Sequence, residues 1–291
     1  MFNFYRFLAD IPDDVVLDDS LIYRAQHGAV LLAASGVFAH EPPKPANMDN
    51  AFYEEGFAST TSSNISYRSG TNYNTTKIDS ALSGQMDDED PSNIDMVGHR
   101  RWILNYELKK TAFGVADIGD RRYFTIQVFD GSRSATNYPD YILWPNQSAF
   151  PLNFFKGNVP WSIQLHRDIY AEPTSQEVAV ILTRVSDAKT WIFTKNDTDK
   201  SGKYFNLLPS HPLYCIVFRP DGIGSYSGAY DISVSGLKLI DGSPATLNYT
   251  VEFFDIRGDN GESSGGGGCS TLGMGFGVLA LAVGTLLKKR G

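Results

Sequence analysis

The spacing of apolar residues changes once along this chain, and that change constrains the fold more than any other feature. Over residues 18–36 they recur every three or four positions, at Leu21, Ala25, Ala29 and Leu32, as on one face of an amphipathic helix. Beyond about residue 110 they alternate instead, in segments such as YFTIQVFD, EVAVILTRV and LNYTVEFFDI, which is typical of β-strands. Helices first and strands afterwards predict a mixed α+β region followed by an all-β region.

Local signals refine the helical part of the chain. The first helix has three candidate caps, at Asp18, Asp19 and Ser20, and Gly36 suits its C-terminal end. Two shorter helices are expected at residues 76–86 and 95–104. The stretch between the first two helices, residues 41–75, is rich in Pro, Asn, Ser, Thr and Gly, so we expect a loop there.

These elements predict two domains and a tail. Residues 1–132 form the mixed domain, residues 133–140 a linker, and residues 141–257 an all-β, immunoglobulin-like sandwich. Residues 258–268 are a second linker, rich in Gly and Ser. Residues 269–291 are the tail.

The tail has the composition of a membrane helix. It is apolar from about Leu272 to Leu287 and ends in a basic cluster, Lys288–Arg290. At about 1.5 Å per residue this stretch barely spans a bilayer core of roughly 30 Å. The basic end should stay in the cytoplasm, which would place residues 1–268 outside the cell. A buried core helix is the alternative.

Charge and composition exclude some partners and some chemistry. The net charge of −8 makes nucleic acid a poor partner. Only two cysteines occur, Cys215 and Cys269, which excludes a disulfide framework and a cysteine-rich zinc site. Histidine chemistry must use some of five residues, which are His27, His40, His99, His166 and His211.

Several short motifs follow one another in a specific order. His40 ends the segment AASGVFAH after the first helix, the segment SSNI follows at residues 62–65, and His99 opens GHRRWILN. Near the start, Asn3, Tyr5 and Arg6 fit an N-x-Y-R pattern. This arrangement resembles the CAP superfamily, also called SCP or cysteine-rich secretory protein domains, in its bacterial branch. The resemblance covers about residues 1–130.

The resemblance implies a fold and a site. The family fold is a three-layer α–β–α sandwich whose cleft presents two histidines and two acids, and by motif position the histidines are His40 and His99. Ser63 stands where the family commonly has glutamate, while Asn64 matches. Asp88 is the expected second acid, with a shorter side chain than the family's glutamate, and Glu89 is the weaker candidate.

We therefore expect a cleft formed by His40, Ser63, Asn64 and His99. With Asp88, the two histidines could hold a divalent metal such as zinc, or polarise a water for acid–base work. Purely structural roles are the alternatives: backbone hydrogen bonds for His99 and Asn64, and a loop surface for His40.

The tail resembles the Synergistes-type C-terminal sorting signals of bacterial surface proteins. The matching residues are Gly265–Gly268, Cys269, Ser270 and the terminal basic cluster. This resemblance implies delivery to the cell surface, a processing enzyme as partner, and attachment near Cys269. Because the first residues show no signal peptide, we expect one to be missing from this chain.

Together these features predict a surface-anchored, non-catalytic binding module whose ligand is a lipid, a peptide or a glycan. The first alternative is a metal-dependent hydrolase using His40, His99 and Asp88. The second is a structural envelope protein.

Overall fold

Strands dominate the regular structure of this protein. The computed structural model describes residues 1–134, 138–209 and 213–257. Within these ranges the helices are α1 (Phe2–Leu8), α2 (Asp19–Ser35), α3 (Asn50–Thr61), α4 (Ile78–Asp87) and α5 (Gly98–Ile103). The strands before residue 130 are β1 (Val16–Leu17), β2 (Ser63–Ser69), β3 (Lys110–Thr111), β4 (Phe113–Ile118) and β5 (Arg121–Gln127). The later strands are β6 (Tyr141–Trp144), β7 (Ser148–Pro151), β8 (Trp161–Leu165), β9 (Ala179–Arg184), β10 (Lys189–Phe193), β11 (Tyr204–Leu208), β12 (Tyr214–Arg219), β13 (Gly228–Lys238) and β14 (Pro244–Phe254).

These strands form four sheets. The largest has the order β10-β9-β13-β14-β7, and the next has the order β11-β12-β8-β6. A three-stranded antiparallel sheet has the order β2-β5-β4, and β1 pairs with β3 in parallel. The pair β14–β7 is also parallel, whereas the other pairs of the two large sheets are antiparallel.

The two large sheets pack face to face, as in a sandwich. Trp161 of β8 lies 5.8 Å from Phe253 of β14 and 6.4 Å from Tyr230 of β13, measured between ring centroids. On its own sheet, Trp161 stacks on Phe218 of β12 at 5.7 Å. Alternating side chains of both sheets thus meet in one buried layer, with Trp161 completely buried. The β-sandwich character expected from the alternating segments is present.

Helices α2 and α3 cover the three-stranded sheet. The approach of α2 is unusually close because Gly114 of β4 lies under it: a Cβ built there would be 2.1 Å from the Ala25 carbonyl oxygen. That same oxygen accepts a hydrogen bond from Thr125 Oγ1 at 2.7 Å. Between the two helices, Gly28 leaves room for the Ser59 side chain. Small residues therefore set the distance between these layers.

The predicted helices are present, with short shifts at their ends. Helix α2 begins after Asp18, whose carboxylate accepts from the Ser20 and Leu21 amides, and it ends at Gly36 in the left-handed conformation. Helix α4 at Ile78–Asp87 corresponds to the helix expected at 76–86, and α5 at Gly98–Ile103 to that expected at 95–104.

The loop predicted for residues 41–75 is wrong over much of its length. Helix α3 and strand β2 lie inside it. The buried residues of α3 are Gly56, Ser59 and Thr60, which are small or polar. They pack closely against α2 and so give no apolar periodicity that a sequence pattern could detect.

The predicted fold class is also wrong. We expected an α+β fold with a CAP-type α–β–α sandwich, then a β-sandwich and a membrane helix. The described residues instead form fourteen strands in four sheets with five helices, and the first 130 residues alone supply five of those strands. Helices α1 and α5 span only 7 and 6 residues, too few to build a full helical layer.

No helix among the described residues is long and apolar enough to cross a membrane. The predicted linker at 258–268 and the predicted tail at 269–291, including Cys269, lie outside the described residues.

Candidate functional site

An open cleft of about 1100 Å³ lies beside α4 and β2. Both histidines singled out in the sequence, His40 and His99, line it. They come from different parts of the chain: His40 follows α2 and faces the cleft from a loop, while His99 lies in the first turn of α5. The structure thus brings the two motif histidines to one cavity.

Asp88 holds His99 in place. The chain leaves α4 at Asp88 in the left-handed conformation, with φ of 43°. Its carboxylate is buried, with one oxygen 2.6 Å from His99 Nδ1 and the other accepting from the Arg100 amide at 3.0 Å. Because both oxygens are engaged by protein donors, Asp88 fixes the imidazole rather than facing the cleft as a free acid.

These contacts favour the charged form of His99. Burial alone would lower the pKa of its imidazole, but the hydrogen bond and charge of Asp88 outweigh it, aided by the charge of Asp90 and a hydrogen bond to the Ile65 carbonyl. The net effect raises the pKa of His99 above its usual value. His99 is therefore a better hydrogen-bond donor than a proton acceptor.

His40 is anchored more simply. Its Nδ1 lies 2.7 Å from the carbonyl oxygen of Thr60, at the end of α3, so Nδ1 is the protonated nitrogen that donates there. The residue is exposed. The neutral ring is thereby left with an acceptor nitrogen at Nε2.

The other two expected cleft residues, Ser63 and Asn64, are buried beneath the cleft wall. Asn64 Nδ2 donates to the carbonyl oxygen of His99 at 2.9 Å, so Asn64 positions the backbone of α5. Ser63 Oγ accepts from Gln127 Nε2 at 2.8 Å. Both side chains are buried, and neither lines the cleft. Their part in the predicted site remains a prediction.

The donor set does not fit the metal that the sequence suggested. Asp88 has both oxygens committed to His99 and the Arg100 amide, and the His99 ring has a further hydrogen bond to the Ile65 carbonyl. The described residues include no group of three or more His, Cys, Asp or Glu side chains placed to hold a metal ion. We therefore derive no step through zinc or another divalent metal.

The cleft contains candidate residues outside the expected set, together with Glu89, the weaker candidate for the second acid. Gln85 is 3% exposed, and its Oε1 has no hydrogen-bond partner. Glu89 also has a buried, unpartnered Oε2, and burial, reinforced by the charge of Asp87, raises its pKa. Phe38 and Tyr67 form an exposed aromatic rim. No sequence motif marked Gln85, Phe38 or Tyr67 as functional.

The remaining histidines lie elsewhere. The ring of His27 is sandwiched between Tyr23 and Phe52, at centroid distances of 4.0 and 4.1 Å. His166 packs beside Tyr138 at 4.8 Å. Neither lines the cleft, and His211 lies outside the described residues.

Comparison with known proteins adds no identification. No protein-family model matches the chain, and no curated protein matches it either. The resemblances to the CAP superfamily and to sorting tails therefore stay predictions that rest on the motifs themselves.

Proposed function

We propose that this protein is a non-catalytic binding module whose ligand occupies the cleft lined by His40 and His99. The observation that carries the proposal is the imidazole of His99, whose charged form Asp88 favours and which lies at the wall of a wide, open cleft. Asp88 and the Ile65 carbonyl fix this ring at the wall of the cleft, so a ligand that packs against it does not have to order it.

The local chemistry supports binding over catalysis. A general base must accept a proton, whereas the raised pKa of His99 keeps more of it protonated. The nearby serine hydroxyls have other partners: Ser83 bonds to Tyr5, Ser92 to Asp90, and Ser66 accepts from Gln85. Among the described residues, no serine of the cleft is hydrogen-bonded to either histidine.

The cell-surface location belongs to the same proposal. It is supported by the sequence of residues 258–291, where a Gly-rich linker, Cys269, an apolar stretch and a basic end follow in order. The proposal includes anchoring to the membrane through this tail and a processing enzyme that acts near Cys269.

A variant that fills the cleft tests the proposal. Ser80 is exposed, lines the cleft and makes no side-chain hydrogen bond among the described residues, so Ser80→Trp places a large ring in the cleft without disturbing the core. Ala51→Trp, on the exposed side of α3, is the matched control. Saturation-transfer NMR would be recorded with phosphatidylcholine vesicles, a hexapeptide mixture and neutral oligosaccharides.

We expect at least one of these probes to bind the wild type and Ala51→Trp, and to lose binding in Ser80→Trp. Mass spectrometry of the probes after incubation should show no products. Binding by none of them, or equal binding by Ser80→Trp, would contradict the proposal. Product formation that disappears in His99→Gln would show an enzyme instead.

A further inference from the structure

We propose that the ligand of this cleft is a neutral glycan, with a sugar ring stacked on the aromatic rim formed by Phe38 and Tyr67. This inference rests on the proposed function and names its ligand class. It draws on three independent features of the cleft: its aromatic rim, its neutral polar lining and its charge.

The aromatic rim is exposed, and its tyrosine is supported by neighbouring side chains. Phe38 is 44% exposed and Tyr67 39%, and their rings meet edge to face with centroids 4.9 Å apart. Tyr67 is backed by Tyr123 at 5.9 Å, and the Arg121 guanidinium lies 5.8 Å from its centroid. A fixed aromatic face with a negative π-surface suits the polarised C–H face of a sugar ring, and its burial would release water from apolar carbon.

Next to the rim, the lining is rich in neutral hydrogen-bonding groups. They are the hydroxyls of Ser66, Ser80, Ser83 and Ser92 and the amides of Gln85 and Asn93. Sugar hydroxyls both donate and accept, so they can match such a mixed surface. The unpartnered Oε1 of Gln85 is an acceptor that still lacks a donor, which is an uncommon state for a buried polar atom.

The charge of the cleft selects against an anionic ligand. Four carboxylates line it, those of Asp79, Asp87, Glu89 and Asp90. Against them stand Arg68, Lys156 and the histidines, and Lys156 is already paired with Asp87 at 2.6 Å. The whole chain carries a net charge of −8. The lining thus has no excess of cations to pair with sulfated or uronic glycans or lipid phosphates, and a neutral sugar needs none.

A calorimetric titration tests the inference with defined probes. Chitotetraose, cellotetraose and mannotetraose serve as neutral glycans, tetragalacturonate as the anionic counterpart and tetralysine as a cationic peptide. The variants are Phe38→Ala and Tyr67→Ala. The matched control is Tyr23→Ala, which removes a tyrosine of similar exposure, 59%, from α2 outside the cleft. Thermal unfolding of each variant checks that it is folded.

We expect at least one neutral tetrasaccharide to bind, with affinity at least tenfold weaker in Phe38→Ala and in Tyr67→Ala and unchanged in Tyr23→Ala. Tyr67→Phe should keep most of the affinity, because it keeps the ring. Tetragalacturonate should not bind.

Three results would overturn the inference, and they separate its failure from failure of the proposed function. In the first, tetralysine binds the wild type but not Ser80→Trp, and no neutral sugar binds. The cleft is then a binding site, but its ligand is a cationic peptide. If no titrated probe binds, the ligand class fails, and the binding function fails with it when the vesicles and hexapeptides of the cleft experiment do not bind either. Equal loss of sugar binding in Tyr23→Ala would show that the aromatic rim does not bind the sugar specifically.

Discussion

At the scale of a residue, the buried carboxylate of Asp88 determines the position and charge of the His99 imidazole. It accepts from both an imidazole and a backbone amide, and it does so from a left-handed position that only the exit from α4 provides. Burial of a charged group is costly unless such partners compensate it. The compensation here comes from His99, whose charged form Asp88 favours in return.

The coupling of these two residues predicts a pH dependence of stability. Because the pKa of His99 is raised in the folded protein, its protonated form stabilises the fold below about pH 6.5, the unfolded value. This contribution is lost as the pH rises from there through the higher folded pKa. In Asp88→Asn, we expect the pKa of His99 to fall, and the free energy of unfolding to drop by about 1–3 kcal/mol, more at pH 6 than at pH 8.

Urea unfolding at both pH values and NMR titration of the His99 ring measure these effects. Asp79→Asn, an exposed carboxylate of the same cleft, is the control and should leave both quantities nearly unchanged. An unaltered pKa of His99 in Asp88→Asn would contradict the coupling.

At the scale of elements, glycines decide how closely α2 lies on the sheet beneath it. Gly114→Ala would place a methyl group 2.1 Å from the Ala25 carbonyl oxygen, a backbone atom that cannot rotate away. Helix and strand must then separate, and we expect a loss of about 1–3 kcal/mol, as in other overpacked sites. Chemical denaturation measures this loss.

Gly224→Ala is the matched control for that substitution. Its added Cβ meets no atom within 4 Å, and its backbone is not in the left-handed region, so its stability should change by less than about 0.5 kcal/mol. If Gly114→Ala loses no more stability than this control, α2 is free to move away from the sheet.

The same elements show what the sequence could and could not predict. Helix α2 was predictable because its cap, its end and its apolar stripe are local features of the chain. Helix α3 was not, because Gly56 and Ser59 are buried by contact with α2 rather than by apolar character. In the site, the motif order pointed to His40, His99 and Asp88. The exposure of Phe38 and Tyr67 and the orphaned oxygen of Gln85 arise only from tertiary packing.

At the scale of the whole molecule, one apolar core runs through both regions that the sequence suggested as domains. It extends from Phe2 to Phe253, and Tyr5 of α1 meets Trp144 of β6 at a centroid distance of 5.8 Å. The buried guanidinium of Arg100 adds a polar tie, donating to the Pro160 carbonyl at 2.7 Å and to Ser162 at 3.1 Å. The predicted two-domain division stays a prediction, but its two parts share buried surface.

Shared burial predicts that the two regions unfold together. Removing the sandwich would expose the apolar face of the first region and leave Nη1 of Arg100 without its two acceptors, at a cost of about 1–3 kcal/mol for a buried charged donor. In calorimetry of the full chain, we therefore expect a single transition whose van't Hoff and calorimetric enthalpies agree. Trp144→Ala, at the junction, should destabilise by about 3–5 kcal/mol. Hydrogen exchange of Trp144→Ala should show the same loss of protection in β5 and in β12. Two calorimetric transitions, or a loss of protection confined to one region, would show that the regions fold independently.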